Sequence, residues 1–94
     1  MAISQVSSAP NRDAYDAVMK VLDMAGNRPD GLILHSAAET PSGEIQILDV
    51  WESREASEAF VQQRLMPAFQ QTGFMEQVMS QEPPTPYEVF DLVR

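Results

Sequence analysis

Two apolar runs joined by one short break, within residues 31–53, constrain the fold of this chain most strongly. Residues 32–34 and 45–51 carry apolar side chains on both faces of a strand, and such strands are usually covered on both faces. Between them, residues 40–44 (TPSGE) suit a three-residue hairpin loop, because proline can begin a type I turn and glycine supplies the left-handed residue. The stretch therefore predicts a β-hairpin within a covered sheet.

The loop also predicts how the two strands pair. If the first and last loop residues face each other, opposed positions sum to 84. The predicted pairs are then His35 with Asp49, Ile33 with Trp51, Ala37 with Ile47, Leu34 with Val50, and Ser36 with Leu48. A slip of one residue would move the partners to opposite faces. The only histidine and the only tryptophan of the chain both lie in this hairpin.

The remaining elements follow from helical or strand periodicity and from residues that begin or end helices. We predict a strand at 2–7, a helix at 12–25 ended by Gly26 and Asn27, the hairpin, a helix at 54–65, a short helix at 66–71 ended by Gly73, a further turn at 74–80 and a closing strand at 87–94. Asn11 and Ser53 are the predicted helix N-caps. The predicted buried stripe of the helix at 54–65 consists of Ala56, Ala59, Phe60 and Gln63.

This order of elements is the ferredoxin-like βαββαβ arrangement of the α+β class, a four-stranded antiparallel sheet with helices on one face. The 94 residues fit one domain, 1–94, and a chain this short buries only roughly 60–65% of its unfolded surface. It has no cysteine that could supplement the core. Because two helices cover only one face of the sheet, we predict that a second copy covers the other, forming a homodimer.

Charge and hydropathy argue against two classes of partner. Lysine and arginine number 6 against 14 acidic residues, a formal net charge of −8, and no basic stripe is visible. Nucleic acid and anionic membrane surfaces are therefore not expected partners. The N-terminal MAISQVSSAP lacks the features of a signal peptide, and no apolar run approaches the roughly 20 residues needed to span a bilayer. We expect a cytoplasmic protein.

His35 and Asp49 form the candidate catalytic pair. The imidazole titrates near neutral pH and suits a general base, and Asp49 across the strand pair would hold it in one tautomer. The alternative, which stays open, is a structural histidine whose ring is hydrogen-bonded to a neighbouring carboxylate or to the backbone. No metal site is expected, because alternation separates Glu39, Glu44, Asp49 and Glu52 between two faces and only one histidine is available.

The candidate substrate-binding residues are Trp51, Tyr15, Ile33 and Ile47. Trp51 can stack on a flat aromatic molecule, or it can belong to the core or to a dimer interface. Tyr15 can donate a hydrogen bond into a cavity, or it can pack with its hydroxyl at the edge. These alternatives also stay open.

The stretch GLILH, a glycine-containing turn, LDVWESREASEAFVQQRLMPAF and a closing strand together resemble the dimeric α+β barrel superfamily. The resemblance is closest to small proteins of the antibiotic-biosynthesis-monooxygenase-like type. The residues that carry it most specifically are His35, residues 50–53 and Phe60. It implies a homodimer of ferredoxin-like subunits. The superfamily includes cofactor-free oxygenases acting on quinol-like polyketides, haem-degrading enzymes and lactone isomerases. The haem-degrading pattern expects a helical histidine, which neither predicted helix carries, so no cofactor is expected.

Two functions follow as hypotheses. In the first, a small apolar or aromatic molecule binds in a cavity between two sheets or between sheet and helices. There His35 takes a proton from an acidic phenol or enol, Asp49 orients the imidazole, Trp51 stacks on the ring, and O2 reacts without a metal. In the second, the chain is a non-catalytic dimeric module that binds a ligand or a protein. A subunit of a larger assembly is a third possibility, and it predicts an exposed apolar patch away from the dimer face.

Overall fold

The structure is a computed structural model that describes residues 1–93. In chain order its elements are β1 (Ile3–Ala9), α1 (Arg12–Leu22), β2 (Leu32–Glu39), β3 (Ile45–Trp51), α2 (Arg54–Phe60), a π-helical turn (Val61–Leu65), α3 (Met66–Thr72), α4 (Met75–Met79) and β4 (Tyr87–Glu88). The strands form one sheet in the order β2-β3-β1-β4, and all neighbouring strands are antiparallel. The predicted ferredoxin-like α+β fold is confirmed.

The hairpin pairs as its loop predicts, with one exception. His35 lies opposite Asp49, and the other predicted pairs toward the loop are also present. Leu32, and not Ile33, lies opposite Trp51, because a β-bulge interrupts the register there. Nη2 of Arg28 donates hydrogen bonds of 2.9 Å to the carbonyls of both Leu32 and Ile33. These bonds satisfy two acceptors at the irregular position.

Both predicted N-caps are confirmed, whereas the first helix ends earlier than predicted. Asn11 Oδ1 accepts the Ala14 N–H at 2.8 Å, and Ser53 accepts the corresponding amide of α2 at 3.1 Å. The helix ends at Leu22 and not at residue 25, because Asp23 adopts a left-handed conformation with φ 48°. Its N–H closes the last turn by donating to a backbone carbonyl 2.9 Å away.

The two helical segments predicted at 54–65 and 66–71 form one uninterrupted run from 54 to 72. The π-helical turn ends at Leu65, two residues before Pro67, which has no backbone N–H to donate to the preceding turn of this continuous run. The predicted buried stripe is partly wrong, since Ala59 and Gln63 are exposed. Ser57 is buried in their place because its hydroxyl donates a hydrogen bond to β1.

One hydrophobic core lies between the sheet and the helices. The sheet contributes Ile3, Leu32 and Trp51, and the helices contribute Leu22, Phe60 and Ala68. The Trp51 and Phe60 rings are 5.2 Å apart between centroids, which suits a tilted aromatic pair. These contacts confirm that the helices pack on a single face of the sheet.

The opposite face of the sheet, which we call the open face, is more polar than the sequence pattern predicts. Strand alternation and the observed register assign to it Ser4, Val6, Ser8, Leu34, Ser36, Ala38, Gln46, Leu48 and Val50. Val6 is 59% exposed and Leu48 is 36% exposed, and both border a shallow depression of about 240 Å³. Small polar side chains, apolar side chains and one glutamine therefore share this face.

The closing strand is much shorter than the predicted range of 87–94. Within residues 87–93, only Tyr87 and Glu88 pair with β1, and one further bond joins the Val89 N–H to a β1-flanking carbonyl at 2.9 Å. The same register sets Phe90 opposite residue 1, so residues 91–93 lie beyond the end of β1. Phe90 is 99% exposed. Arg94, the last residue of the predicted strand, lies outside the described residues.

Candidate functional site

A polar row crosses the sheet on the face that the helices cover. Gln5 of β1 lies opposite Asp49 of β3, and Asp49 lies opposite His35 of β2. All three side chains therefore project from neighbouring strands toward the helices. His35 therefore faces the sheet–helix space and not the open face.

His35 is hydrogen-bonded through both ring nitrogens. Its Nδ1 lies 2.5 Å from Oδ1 of Asp49, and its Nε2 lies 2.8 Å from the hydroxyl oxygen of Tyr15. A carboxylate only accepts hydrogen bonds, so the neutral ring carries its proton on Nδ1 and donates it to Asp49. Nε2 then accepts the O–H of Tyr15. The Tyr15 and His35 rings are nearly parallel, with planes 7° apart.

Helix α1 brings Tyr15 to this position. Tyr15, Val18, Met19 and Leu22 recur at helical spacing and form the stripe that faces the sheet. Arg12 and Asp16 lie near Tyr15 and form an exposed ion pair of 3.1 Å, which adds little stability. Tyr15, one turn into α1, therefore contacts the polar row from the helix side of the sheet.

The three-residue chain of Tyr15, His35 and Asp49 is only partly shielded from solvent. The His35 and Asp49 side chains are 20% and 24% exposed, and Tyr15 is partly buried. Burial raises the pKa of the Tyr15 phenol, and the negative charges of Asp49 and Asp16 raise it further. The phenol therefore stays protonated at neutral pH and remains a hydrogen-bond donor.

These residues lie in a cleft of about 1000 Å³ between the sheet and the helices. Its volume is at the upper end of the range for small-molecule sites, about 300–1,000 Å³. The walls are mainly apolar and include Val18, Met19, Met24, Phe60, Val61, Leu65, Met66, Phe69, Phe74, Val78 and Met79. Residues 81–86, rich in proline, contribute a further part of the wall. The cleft therefore combines an apolar body with the polar chain described above.

The cleft includes most of the predicted site residues. His35, Asp49, Tyr15 and Ile47 all line it. Trp51 lines it too, but its side chain is 2% exposed and packs on Phe60, so it serves as part of the core. Ile33 is the extra residue of the β-bulge and does not line the cleft.

Sequence reasoning missed a second polar contact in this space. The Ser57 hydroxyl, 3% exposed, donates to Oε1 of Gln5 at 2.8 Å and so ties α2 to β1 beside Asp49. Arg54 and Glu58 of α2 also line the cleft. The only feature of the sequence that could have indicated this contact is Ser57, a serine within an apolar helix face. Throughout residues 1–93, each buried side-chain nitrogen or oxygen has a hydrogen-bond partner.

Two further kinds of site are not found in the part of the chain that the structure describes. Residues 1–93 contain no group of three acidic or histidine side chains that could hold a metal ion. Within the same range, none of the helices is both long enough and apolar enough to cross a membrane.

Comparison with known proteins identifies the fold. The sequence matches no protein-family model and no curated protein. Similar solved structures include the three that follow. A candidate antibiotic biosynthesis monooxygenase from Deinococcus radiodurans is 18% identical, with a TM-score of 0.62 over 100% of this chain and 97% of that one. Rv0793 from Mycobacterium tuberculosis is 16% identical, with a TM-score of 0.62 over 100% and 98%.

The third similar structure is a candidate antibiotic biosynthesis monooxygenase from Chloroflexus aurantiacus, 18% identical, with a TM-score of 0.57 over 78% of this chain and 79% of that one. The chain therefore has the fold of the antibiotic-biosynthesis-monooxygenase-like proteins, as the sequence resemblance predicted.

Proposed function

We propose that this chain, which has the fold of the antibiotic-biosynthesis-monooxygenase-like proteins, binds a small aromatic molecule in its sheet–helix cleft and acts on it as a cofactor-independent, monooxygenase-like enzyme. The observation that carries the proposal is the hydrogen-bonded chain of Tyr15, His35 and Asp49 in the wall of an apolar cleft. Two of the three similar structures described above bear the monooxygenase name, which supports the type of chemistry.

The chemistry follows from what the cleft holds. Apolar walls remove water from an aromatic body, and the polar chain orients a hydroxyl group on it. His35 accepts a proton from the phenol or enol, while Asp49 orients the imidazole and stabilises its cation. The resulting oxyanion is electron-rich and can react with O2 directly. Ile47 and Trp51 also line the cleft.

The homodimer is part of the same proposal. Val6 and Leu48 expose apolar surface on the open face among small side chains, which is the composition that close sheet-to-sheet packing needs. The burial of a few hundred Å² of apolar surface gives on the order of 10 kcal/mol before entropic costs, at about 25 cal/mol per Å². The cytoplasmic location stays a prediction, and fractionation of source cells tests it.

The second candidate function is a non-catalytic module that binds a ligand or a protein. One observation favours it: both nitrogens of His35 already have partners within the chain, as in a structural histidine. Binding without turnover would select this function. Native mass spectrometry of protein purified from its own host detects a retained small molecule in either case.

A matched pair of variants tests the cleft. We expect 2-naphthol to change the fluorescence of Trp51, the only tryptophan, in a saturable way. Val18→Phe places a larger side chain in the cleft and should weaken this binding at least tenfold. Val21→Phe makes the same change on the same helix at a position 38% exposed and should bind like wild type. Equal binding by both variants would contradict the cleft as the site.

Turnover is tested by O2 consumption with naphthalene-1,4-diol in the presence of a chelator. The proposal expects wild-type protein and Val21→Phe to accelerate O2 uptake, and Val18→Phe to leave only the uncatalysed rate. Saturable binding without accelerated O2 uptake for any quinol would contradict the enzyme and favour the binding module.

A further inference from the structure

We infer that Tyr15, rather than His35, is the group that contacts the ligand, and that it passes a proton from a weakly acidic hydroxyl of that ligand to His35. The inference rests on the proposed function and deepens it, because it names the residue that contacts the ligand hydroxyl. It also assigns each member of the three-residue chain a different task.

The hydrogen bonds around His35 carry the argument. Nδ1 is occupied by Asp49 at 2.5 Å and Nε2 by the Tyr15 hydroxyl at 2.8 Å, so the ring presents no free nitrogen to the cleft. A ligand could reach Nε2 only by displacing the tyrosine. The Tyr15 oxygen, in contrast, donates its proton to Nε2 and keeps lone pairs that can accept another hydrogen bond. Tyr15 lines the cleft, so we place the ligand hydroxyl against that oxygen.

The proton transfer balances within these groups. The O–H bond of the ligand breaks, and its proton joins the Tyr15 oxygen as the original Tyr15 proton moves to Nε2 of His35. The products are a ligand oxyanion, a neutral Tyr15 phenol and a His35 imidazolium that donates to the Asp49 carboxylate. No electrons are transferred, so the step needs no oxidant or reductant. Tyr15 is the catalytic residue of this step, and Asp49 is a positioning residue.

The charges around Tyr15 favour the passage of a proton through its hydroxyl over a Tyr15 side chain that stays ionised. Asp49 from β3 and Asp16 from α1 both disfavour negative charge on the phenol, and Arg12 only partly opposes them. From α2, Arg54 and Glu58 line the same cleft with opposite charges. Tyr15 therefore gives up one proton only as it gains another, and the positive charge comes to rest on His35 beside Asp49.

The probe for this inference is 4-nitrophenol, whose ionised form absorbs visible light. Bound to the wild-type protein, it should ionise at a pH at least one unit below its value in water. Tyr15→Phe should still bind the probe but lose most of this shift, and Asp49→Asn should lose much of it because the imidazolium loses its carboxylate. Tyr87→Phe is the matched control, since Tyr87 is 67% exposed on the last strand and should behave like wild type.

The outcomes separate this inference from the function it rests on. If Tyr15→Phe kept the full shift, the ligand would contact His35 directly and the inference alone would be overturned. If 4-nitrophenol and 2-naphthol showed no saturable binding to wild type, the proposed function would fail. Nitrogen NMR of the single histidine ring in ligand-free protein adds an independent readout. Tyr15→Phe should move the Nε2 signal while Nδ1 remains protonated, and a ring protonated on Nε2 in the neutral wild type would contradict the relay.

Discussion

The Tyr15 hydroxyl lies 2.8 Å from Nε2 of His35, although 20 residues separate the two along the chain. One residue is on α1 and the other on β2, so the contact exists only when the helix is seated correctly on the sheet. Asp49, on the neighbouring strand β3, is the third member of this hydrogen-bonded series. The site is therefore a consequence of the tertiary packing, and its chemistry depends on three elements at once.

Replacement of His35 by alanine should remove the proton acceptor of the site. We expect turnover of a quinol substrate to fall by about 10²–10⁴-fold, the usual contribution of a general base. The ring is about a fifth exposed and outside the hydrophobic core, so the fold and the dimer should persist. Steady-state O2 uptake and sedimentation velocity measure the two effects, and unchanged turnover would refute His35 as the acceptor.

Tyr15 should ionise only above the ordinary tyrosine value of about 10, because its burial and the nearby carboxylates raise its pKa. Because the Tyr15 pKa is higher in the folded state than in the unfolded state, its contribution to stability is fully present below the unfolded-state pKa. This contribution is lost as the pH rises through the folded-state pKa. The unfolding free energy of wild type should therefore fall more steeply above pH of about 10 than that of Tyr15→Phe. Phenolate absorbance and urea unfolding at alkaline pH measure this; parallel pH profiles would show that Tyr15 is not perturbed.

Leu48 and Val21 offer a matched test of the dimer, since they are 36% and 38% exposed on opposite sides of the molecule. Leu48→Lys places an unpaired charge in the proposed sheet-to-sheet interface. We expect it to raise the dissociation constant roughly 100-fold, equivalent to about 2.7 kcal/mol, while Val21→Lys has little effect. Sedimentation equilibrium measures both variants. A monomeric, well-folded wild type would eliminate the dimer.

Alanine substitutions at Gly31 and Gly43 distinguish the cost of backbone strain from the cost of a steric clash. Both have a left-handed φ, +81° and +91°, so alanine at either position should cost about 1 kcal/mol. At Gly31 a new Cβ would also lie 2.6 Å from Cβ of Ala56, whereas at Gly43 it would meet nothing within 4 Å. Thermal unfolding should show Gly31→Ala to be clearly the less stable variant. Equal losses would mean that the start of β2 does not pack tightly on α2.

The parts of the site that sequence reasoning predicted are those governed by local rules. The loop at 40–44 determines the hairpin register, and the register alone places His35 opposite Asp49. Asn11 and Ser53 begin their helices because a side-chain oxygen next to free backbone N–H groups is a local requirement.

The parts that escaped prediction depend on distant contacts. For Tyr15 the sequence leaves open a hydrogen bond into a cavity or packing at its edge, because its bond to His35 depends on how α1 crosses the sheet. The bulge at Ile33 is satisfied by the side chain of Arg28, a contact with no local signature. The closing strand is short because its register aligns Glu88 with Ile3, the first residue of β1, and periodicity along residues 87–94 does not reveal that register.

The central claim is that a small aromatic molecule binds beside the Tyr15–His35–Asp49 chain. Its most direct test is nitrogen NMR of the single histidine ring during a titration with 2-naphthol. We predict that the Nε2 signal moves saturably, with the same dissociation constant that Trp51 fluorescence reports, and that Val18→Phe abolishes the change. If Trp51 fluorescence showed saturable 2-naphthol binding while the His35 nitrogen signals did not move, the ligand would bind elsewhere. That result would contradict the proposed site.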